Sequence, residues 1–486
     1  MQLKKVTLNN FRCFEHLEVP LHPRLTVLVA ENGGGKTSIL DAIAIGLSPV
    51  FKYLSSVDQR LAGPGIKDAD FRLTSDPAYG RRQEPDLFSM AGYPPPPEPK
   101  RPAGDRILSS EFAQVIMEAI DGPKWDNWRP SSEGKLPDVK VGQSDLMAYA
   151  STLLQSFKDE RKLFPVFAYY GARRGWLVIP ERLRESKVNY EHPLSALIGS
   201  LDSLSDFAEM LKWFDVMEAS ELRANREKQD EVYESSPSLD AIRSAVSALL
   251  GGEFTNPRFN KRHKFVVQSR NGPCELQVTQ LSQGYQSMLA LGMDFARRLA
   301  LANGHLDANS PESNWTVAIR NIKNLRQEEI KDLPERGPAW APAIMLVDEI
   351  DLHLHPSWQQ RVLQDLMRAF PATQFIVTSH SPQVLATVPQ ECIVIVKDGD
   401  VHGAPAGTDG AEVQRILETV FGVPRRPMTR MSAILDEYLR LVDDLQWDSE
   451  RAQELRMQLD EWSGGQEPRL HEADIQIENL KWETGR

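Results

Sequence analysis

The sequence predicts an α/β protein: a mostly parallel sheet with flanking helices and a small antiparallel subsheet, interrupted by a helical lid and ended by a short helical tail. Three observations predict it. The stretch LTVLVAENGGGKTSILDAIAI at 25–45 runs strand, glycine turn, helix. Apolar runs at 164–170, 343–347 and 375–378 lack the alternation of half-exposed strands, which is the pattern of parallel strands covered on both faces. Segments at 195–224 and 238–250 repeat apolar residues at three- and four-residue spacing with charged residues between, the mark of amphipathic helices.

In chain order, residues 1–20 alternate as two short strands, with Val6 and Leu8 and then Leu17 and Val19, joined through the turn Asn9-Asn10-Phe11-Arg12. They are expected to form an edge sheet beside the glycine turn. Residues 25–30 make a short buried strand, and Ile39 and Ile43 give the helix that begins near Lys36. Between them Gly33, Gly34 and Gly35 permit a backbone path that turns successive N–H groups inward, and the helix start adds its positive dipole end, so a phosphate chain is stabilised there. Asn32, Gly33, Gly34, Gly35, Lys36, Thr37 and Ser38 are the expected phosphate-binding residues, with Lys36 on the β and γ phosphates and the Thr37 hydroxyl on magnesium. The first glycine of the GxxxxGK[ST] pattern is replaced by Ala30, small enough to allow the turn.

Composition narrows the class. Of the 486 residues 41% are hydrophobic, yet no apolar run is long enough to span a bilayer and Met1 leads straight into a charged strand, so a cytoplasmic protein without a membrane partner is expected. Cys13, Cys274 and Cys392 lie far apart without CxxC spacing, which suggests neither a disulfide framework nor a zinc site. A net charge of -12 argues against wrapping nucleic acid with the whole surface, and leaves room for a local basic groove or a nucleic-acid-binding partner.

From 61 to 130 the pattern fades into an exposed loop, with PPPPEPKRP at 94–102; the flanking DADFRLT and DRILSSEF fit strands of a small antiparallel subsheet. A helix at 146–157 precedes the run 164–170, apolar enough for a central strand, which ends at Gly171-Ala172-Arg173-Arg174. That arginine pair could place a cation at a γ-phosphate or could close a solvated strand end. After the helical lid, HKFVVQ and CELQVT read as two strands about the turn at 270–273, and the basic run Arg258, Lys261, Arg262 and Lys264 reads as a solvated strand edge, the alternative being a surface that meets nucleic acid or an acidic partner.

LSQGYQS at 281–287 opens a long helix to about residue 303, where Ser282 reads as an N-cap donor and the helix start as a second anion site. The strand 343–347 delivers Asp348 and Glu349 at its tip, Asp348 to hold magnesium through water and Glu349 as the general base for attacking water. A helix follows with Pro356 in its first turn, and the strand at 375–378 puts His380 at its tip, placed to contact the γ-phosphate; a lone histidine at a strand end is otherwise structural. The tail carries three helical patterns: Ile434, Tyr438, Leu441, Leu445; Leu455, Leu459, Trp462; and Ala473, Ile477, Leu480.

The combination VLVAENGGGKTSILDAIA, AYYGARRGW, LSQGYQSMLALGMDFARRLA, LVDEIDLHLHPSWQQ and QFIVTSHSPQVL resembles the ABC-type AAA ATPases of bacterial defence, specifically the PtuA-like ATPase of Septu and retron-associated anti-phage systems, with a head of the RecF and SMC kind. The resemblance implies an ABC-type P-loop ATPase head with ATP and Mg2+ bound between two heads paired head to tail, Ser282 and Gly284 of one closing over ATP held by the other. In such heads an NFR sequence sits beside the nucleotide, so Arg12 is a candidate to touch it or to seat the adjacent strand, a surface arginine being the plain alternative. The family also implies a partner HNH nuclease, PtuB-like, and in retron systems a reverse transcriptase with its DNA-linked RNA (msDNA). LSQGYQ departs from the LSGGQ signature at two positions. The expected division is 1–176 and 251–403 for the two lobes of the head, 177–250 for the lid, and 404–486 for a helical tail that docks a partner. About 106 residues separate Arg174 from Leu281, too few for the coiled-coil arms of SMC proteins. The chain is expected not to be a nuclease itself. The alternatives are a RecF-like ATPase that clamps DNA directly and, less consistent with HLHP and SHSPQVL, a transporter motor.

Overall fold

In a computed structural model, placement is described for residues 1–56, 59–75, 107–120, 122–132, 134–160, 163–172, 190, 192–203, 207–227, 233–270, 275–306, 309–322, 333 and 335–484. Arg173 and Arg174, the proline-rich 94–102, the turn residues 271–273 and Cys274 lie outside the described residues. The chain divides into two compact units, Met1–Ile416 and Leu417–Arg486.

At the centre of the first unit is a six-stranded sheet in the order Asp400–Gly403, Ile393–Lys397, Leu25–Val29, Thr373–Thr378, Ala343–Val347, Val166–Tyr170. Every neighbouring pair is parallel except the first. All residues of the four strands Leu25–Val29, Thr373–Thr378, Ala343–Val347 and Val166–Tyr170 are buried, as their near-continuous apolarity requires. Register sets Leu28 opposite Thr378, and Val347 opposite both Val377 and Tyr170, so the loops leaving these strands emerge side by side. Ligands of open parallel sheets bind at that carboxyl edge.

The strand Val166–Tyr170 is not central, as its apolarity suggested, but at the sheet edge. Its outer backbone is satisfied by the segment that follows: Tyr169 N–H donates to Ser200 O at 2.7 Å and Gly171 N–H to Ser203 O at 3.1 Å. Apolar composition reports that both faces are covered, not that both edges are paired.

A second, antiparallel sheet runs Phe14–Pro20, Leu3–Phe11, Phe112–Ala119, Lys124–Pro130. Its last two strands fall where the sequence looked featureless, because Asp126 and Gln114 interrupt the apolar pattern while bonding each other in the core at 2.9 Å. Gln374, fully buried on the central sheet, ties the sheets together by accepting from Leu3 N–H and donating to Leu3 O, both at 2.8 Å. The expected small subsheet is the pair Leu73–Ser75 and Ile107–Ser109.

The helix Lys36–Leu54 packs in the core between these layers. By length and composition it would suffice to cross a membrane, contrary to the sequence expectation, but two thirds of it is buried inside the protein. The lid helix does not start at residue 195: Pro193–Leu197 is a 3-10 turn and the helix is Phe207–Glu227. The run Lys261 to Lys264 forms the hairpin turn between Phe254–Phe259 and Phe265–Ser269.

The second unit is built on the helices Arg430–Asp443, Glu450–Ser463 and Pro468–Thr484. Leu435, Tyr438, Val442, Leu455, Leu459, Leu470 and Ala473 form its core, and each leucine of that kind contributes about 1.5–3 kcal/mol on burial. Leu445 and Trp462, assigned to the apolar faces from spacing, are instead 44% and 48% exposed.

Candidate functional site

Leu25–Val29 delivers the chain into a loop whose exit is the helix Lys36–Leu54. Gly35 caps that helix at φ 87° and Gly33 stands at φ 80°, a left-handed backbone that side chains resist. Gly34 is small for another reason: a Cβ there would lie 2.8 Å from the Cβ of Ala30. The methyl group that replaces the first motif glycine is thus accommodated by the absence of one at Gly34. The Gly34 N–H donates back to Glu31 O at 3.0 Å and is not turned inward as the motif suggested. Lys36, buried, reaches across the loop and donates from Nζ to Ala30 O at 2.9 Å and Glu31 O at 3.1 Å. Burial lowers the pKa of its ammonium, and the carboxylates of Asp348, Glu349 and Asp351 oppose that shift.

At the loop is a knot of hydroxyls and carboxylates from two strand tips and the first turn of the helix Lys36–Leu54. Thr37 Oγ1 donates to Asp348 Oδ2 at 2.9 Å, and Thr378 Oγ1 donates to Asp348 Oδ1 at 2.7 Å. The same Thr378 oxygen accepts the Glu349 N–H at 2.7 Å. Glu349 is held at φ 49°, a backbone region costly for a side-chain-bearing residue and tolerated where surrounding bonds fix it. Asp351 Oδ1 accepts from Ser379 Oγ at 2.7 Å and from His380 N–H at 3.3 Å, which holds the two strand-tip turns together. The structure therefore gathers Lys36, Thr37, Asp348, Glu349 and His380 at one edge of the sheet. A hydroxyl and a carboxylate oxygen side by side are the hard donors magnesium takes, and Thr37 with Asp348 fits that ion. The glycine loop, the buried ammonium and the helix N-terminus fit a polyphosphate.

Arg12 lies beside the loop at φ 50°. Its guanidinium donates to Asp41 Oδ2 at 2.7 Å and Asp70 Oδ1 at 2.9 Å, and approaches Ser38 Oγ at 3.4 Å. Tyr169 OH donates to the other Asp41 oxygen at 2.8 Å. Of the readings open to Arg12, its bonds favour seating the loop helix against the N-terminal strands. Asn32 is exposed on the loop and Ser38 is half-buried in the first helical turn.

Ser282 occupies the N-cap of the helix Gln283–Asn303, and Gln286 N–H donates to its carbonyl at 3.0 Å. The expected capping by its hydroxyl does not occur: that side chain makes no cap bond and is exposed. Gly284 has a packing reason, since a Cβ would come within 2.7 Å of His353 O. Tyr285, one of the departures from the signature, stacks edge-on against Trp358 with ring centres 4.4 Å apart and bonds Glu253 through its hydroxyl.

Thr378, Asp41 and Tyr170 were not singled out by sequence. Their only signal was a polar residue, or a tyrosine, set within or at the tip of an apolar helix or strand; the partners are remote in sequence.

A family profile described as an AAA domain matches residues 5–250, and another, described as an AAA domain, putative AbiEii toxin, Type IV TA system, matches residues 275–386. The chain is similar to the Retron Ec83 probable ATPase of Escherichia coli, with 27% identity covering 99% of this chain and 88% of that protein. It is similar to the Retron Vc95 probable ATPase of Vibrio cholerae serotype O1 biovar El Tor, with 25% identity over 94% of this chain and 86% of the relative. To the Septu protein PtuA of Bacillus thuringiensis it is 32% identical over 21% of this chain and 28% of the relative.

Proposed function

The chain belongs to the AAA domain family, and from that premise we propose that it is an ATP-binding and ATP-hydrolysing regulatory subunit of an anti-phage defence complex. It works with a separate HNH nuclease of the PtuB kind and, in a retron arrangement, with a reverse transcriptase and its msDNA. The observation that carries the reading is the knot at Asp348, where the loop hydroxyl of Thr37, the strand-tip hydroxyl of Thr378 and the amide of Glu349 converge within hydrogen-bond distance. The near full-length similarity to retron probable ATPases supports the defence setting.

When bound, ATP with Mg2+ supplies the phosphoryl group for transfer to water. The residues of the chain do the rest. Lys36 gives up its two carbonyl bonds and turns its ammonium to the β and γ phosphates. Asp348 and Thr37 offer oxygens to the cation, and Thr378 orients Asp348. Glu349, its backbone fixed by Thr378, accepts the proton of the attacking water, and His380 steadies the γ-phosphate. The exposed hydroxyl of Ser282 has no partner among the described residues and serves the nucleotide of a second head, so the working unit is a head-to-tail dimer. The lid 177–250 and the tail 404–486 are the docking regions for the nuclease partner.

The test is Glu349→Gln, which keeps shape and loses the proton acceptor. It is expected to bind ATP as the parent does, to accumulate as an ATP-bound dimer in gel filtration, and to release no phosphate. Parental phosphate release by this variant would move the base elsewhere. Purified without partners and supplied with magnesium and ATP, the chain is expected to leave plasmid and single-stranded DNA intact.

A further inference from the structure

One fully buried residue, Tyr170, joins the signature helix to the carboxylate that faces the phosphate loop. Its phenol donates to Asp294 Oδ2 at 2.9 Å, in the middle of the helix Gln283–Asn303. Its main-chain carbonyl accepts the Asp348 N–H at 2.8 Å. Asp294 is itself gripped from the same helix, by Arg297 Nη2 at 2.7 Å and Arg298 Nε at 2.8 Å. Arg298 Nη1 then donates to Ala196 O at 2.8 Å and Ile198 O at 3.1 Å. The segment carrying those carbonyls also receives the Tyr169 N–H and the Gly171 N–H, on either side of Tyr170. Both the side chain and the flanking backbone of Tyr170 are thereby fastened to the helix that begins at Ser282 and Gly284.

The linked side chains are inside the protein, Tyr170 and Asp294 each 1% exposed, Arg297 4% and Arg298 5%. A buried ion triad is weak as a source of stability, since apolar side chains of the same volume do as well or better. What charged, short, directional bonds add over apolar packing is a fixed distance, because they weaken steeply once stretched or bent. The helix is continuous from Gln283 to Asn303, so a displacement at its N-terminus is carried along its axis to Asp294.

We propose that Tyr170 and Asp294 are positioning residues that couple the place of the signature helix to the place of Asp348. Engagement of Ser282 and Gly284 by the nucleotide of a second head then sets the carboxylate for its cation in the same chain. The proposal rests on the ATPase reading given above and adds to it a route by which head pairing reaches the metal side of the site. Neither residue touches nucleotide; both act through the backbone of Tyr170.

The test is Tyr170→Phe, which removes one oxygen, keeps the ring, and leaves Asp294 with both arginines. Three quantities are measured on the full chain: ATP affinity in EDTA by calorimetry, dimer formation by gel filtration with ATP, and Mn2+ affinity of the nucleotide-bound protein by electron paramagnetic resonance. In the parent, pairing is expected to tighten Mn2+ binding, and Ser282→Arg, which prevents pairing, is expected to abolish the tightening. Tyr170→Phe is expected to bind ATP in EDTA and to pair as the parent does, yet to lose the tightening, a change of about tenfold for one hydrogen bond to a charged group. A merely structural phenol would lower the melting temperature and leave the Mn2+ response intact. Should Tyr170→Phe fold poorly, Arg298→Lys, which keeps charge beside Asp294 but gives up the carbonyl bonds to 196 and 198, is expected to weaken the tightening in the same direction. Mn2+ affinity that rises on pairing in both variants as in the parent overturns the coupling while leaving the ATPase reading in place. A parent protein that binds no ATP overturns both.

Discussion

Replacing Thr378 by valine removes one oxygen from the centre of the site without changing the shape of the side chain, and its consequences follow from two bonds. Thr378 is fully buried. Its hydroxyl donates to Asp348 Oδ1 and accepts the Glu349 N–H, both at 2.7 Å. In the variant the Glu349 amide loses this acceptor, which costs about 1–3 kcal/mol, and the carboxylate loses a charged hydrogen bond of about 1.5–3 kcal/mol. The extra methyl group returns about 0.8 kcal/mol, and Asp348 keeps its bond from Thr37. The net loss of stability is about 3 kcal/mol, to be read from urea unfolding with an unchanged slope. Activity suffers separately. Glu349 stands at φ 49°, and without the bond that pins its amide it relaxes toward ordinary backbone and its carboxylate turns away. Turnover is expected to fall by about a hundredfold, equivalent to ~2.7 kcal/mol, while ATP affinity in EDTA stays as in the parent. Thr378→Ser, which retains the hydroxyl, is expected to recover most of both losses. A valine variant less than about 0.5 kcal/mol destabilised and with full turnover would show that the knot at Asp348 does not organise the site.

Three further outcomes are expected. Lys36→Ala removes the buried ammonium that reaches across the loop and should abolish ATP binding in calorimetry; unchanged affinity would refute the phosphate assignment. Burial would raise the pKa of Asp294, but Arg298 and Arg297 override it and hold the carboxyl at about 2. Because that lies below the ordinary carboxylate value of about 3.9, the pair stabilises the fold above pH ~4 and is lost as the pH falls toward 2, a change of about 2 kcal/mol. Unfolding measured at pH 5 and at pH 2.5 should show that difference in the parent and a flatter response in Asp294→Asn. A mixture of Lys36→Ala and Ser282→Arg chains should regain phosphate release that neither shows alone, one intact site forming per mixed dimer; mixed dimers that form without activity would refute the head-to-tail arrangement.

What could be read from the sequence was what is local along the chain. The order of strand, glycines and helix at 25–45, the acidic pair after an apolar run, and the histidine after the next strand each lie within a few residues of the element that presents them. They converge because the strands are parallel and in register, so that every loop leaving a carboxyl end arrives at the same edge. Local pattern says little about partners that lie from 30 to 371 residues away. Gln374 on Leu3, Thr378 on Asp348 and Tyr170 on Asp294 are bonds between polar atoms set into otherwise apolar elements, and their residue types alone read as tolerated exceptions. The edge position of Val166–Tyr170 was illegible for a related reason: its outer hydrogen bonds are made by backbone, which leaves no trace in composition.

Ser282 separates the two kinds of information. Spacing makes it a helix cap, a role complete within four residues. The structure gives it the cap position, φ -62° and ψ 157°, but withholds the capping bond, leaving the hydroxyl exposed at the N-terminus of a helix buried along most of its length. Gly284, two residues on, is already committed, its missing side chain making room for His353 O. A residue kept in cap geometry without capping, beside a glycine kept for close approach, presents unsatisfied donors to whatever arrives from outside. Under the proposed head-to-tail pairing, the phosphate of a second head is the group that meets them.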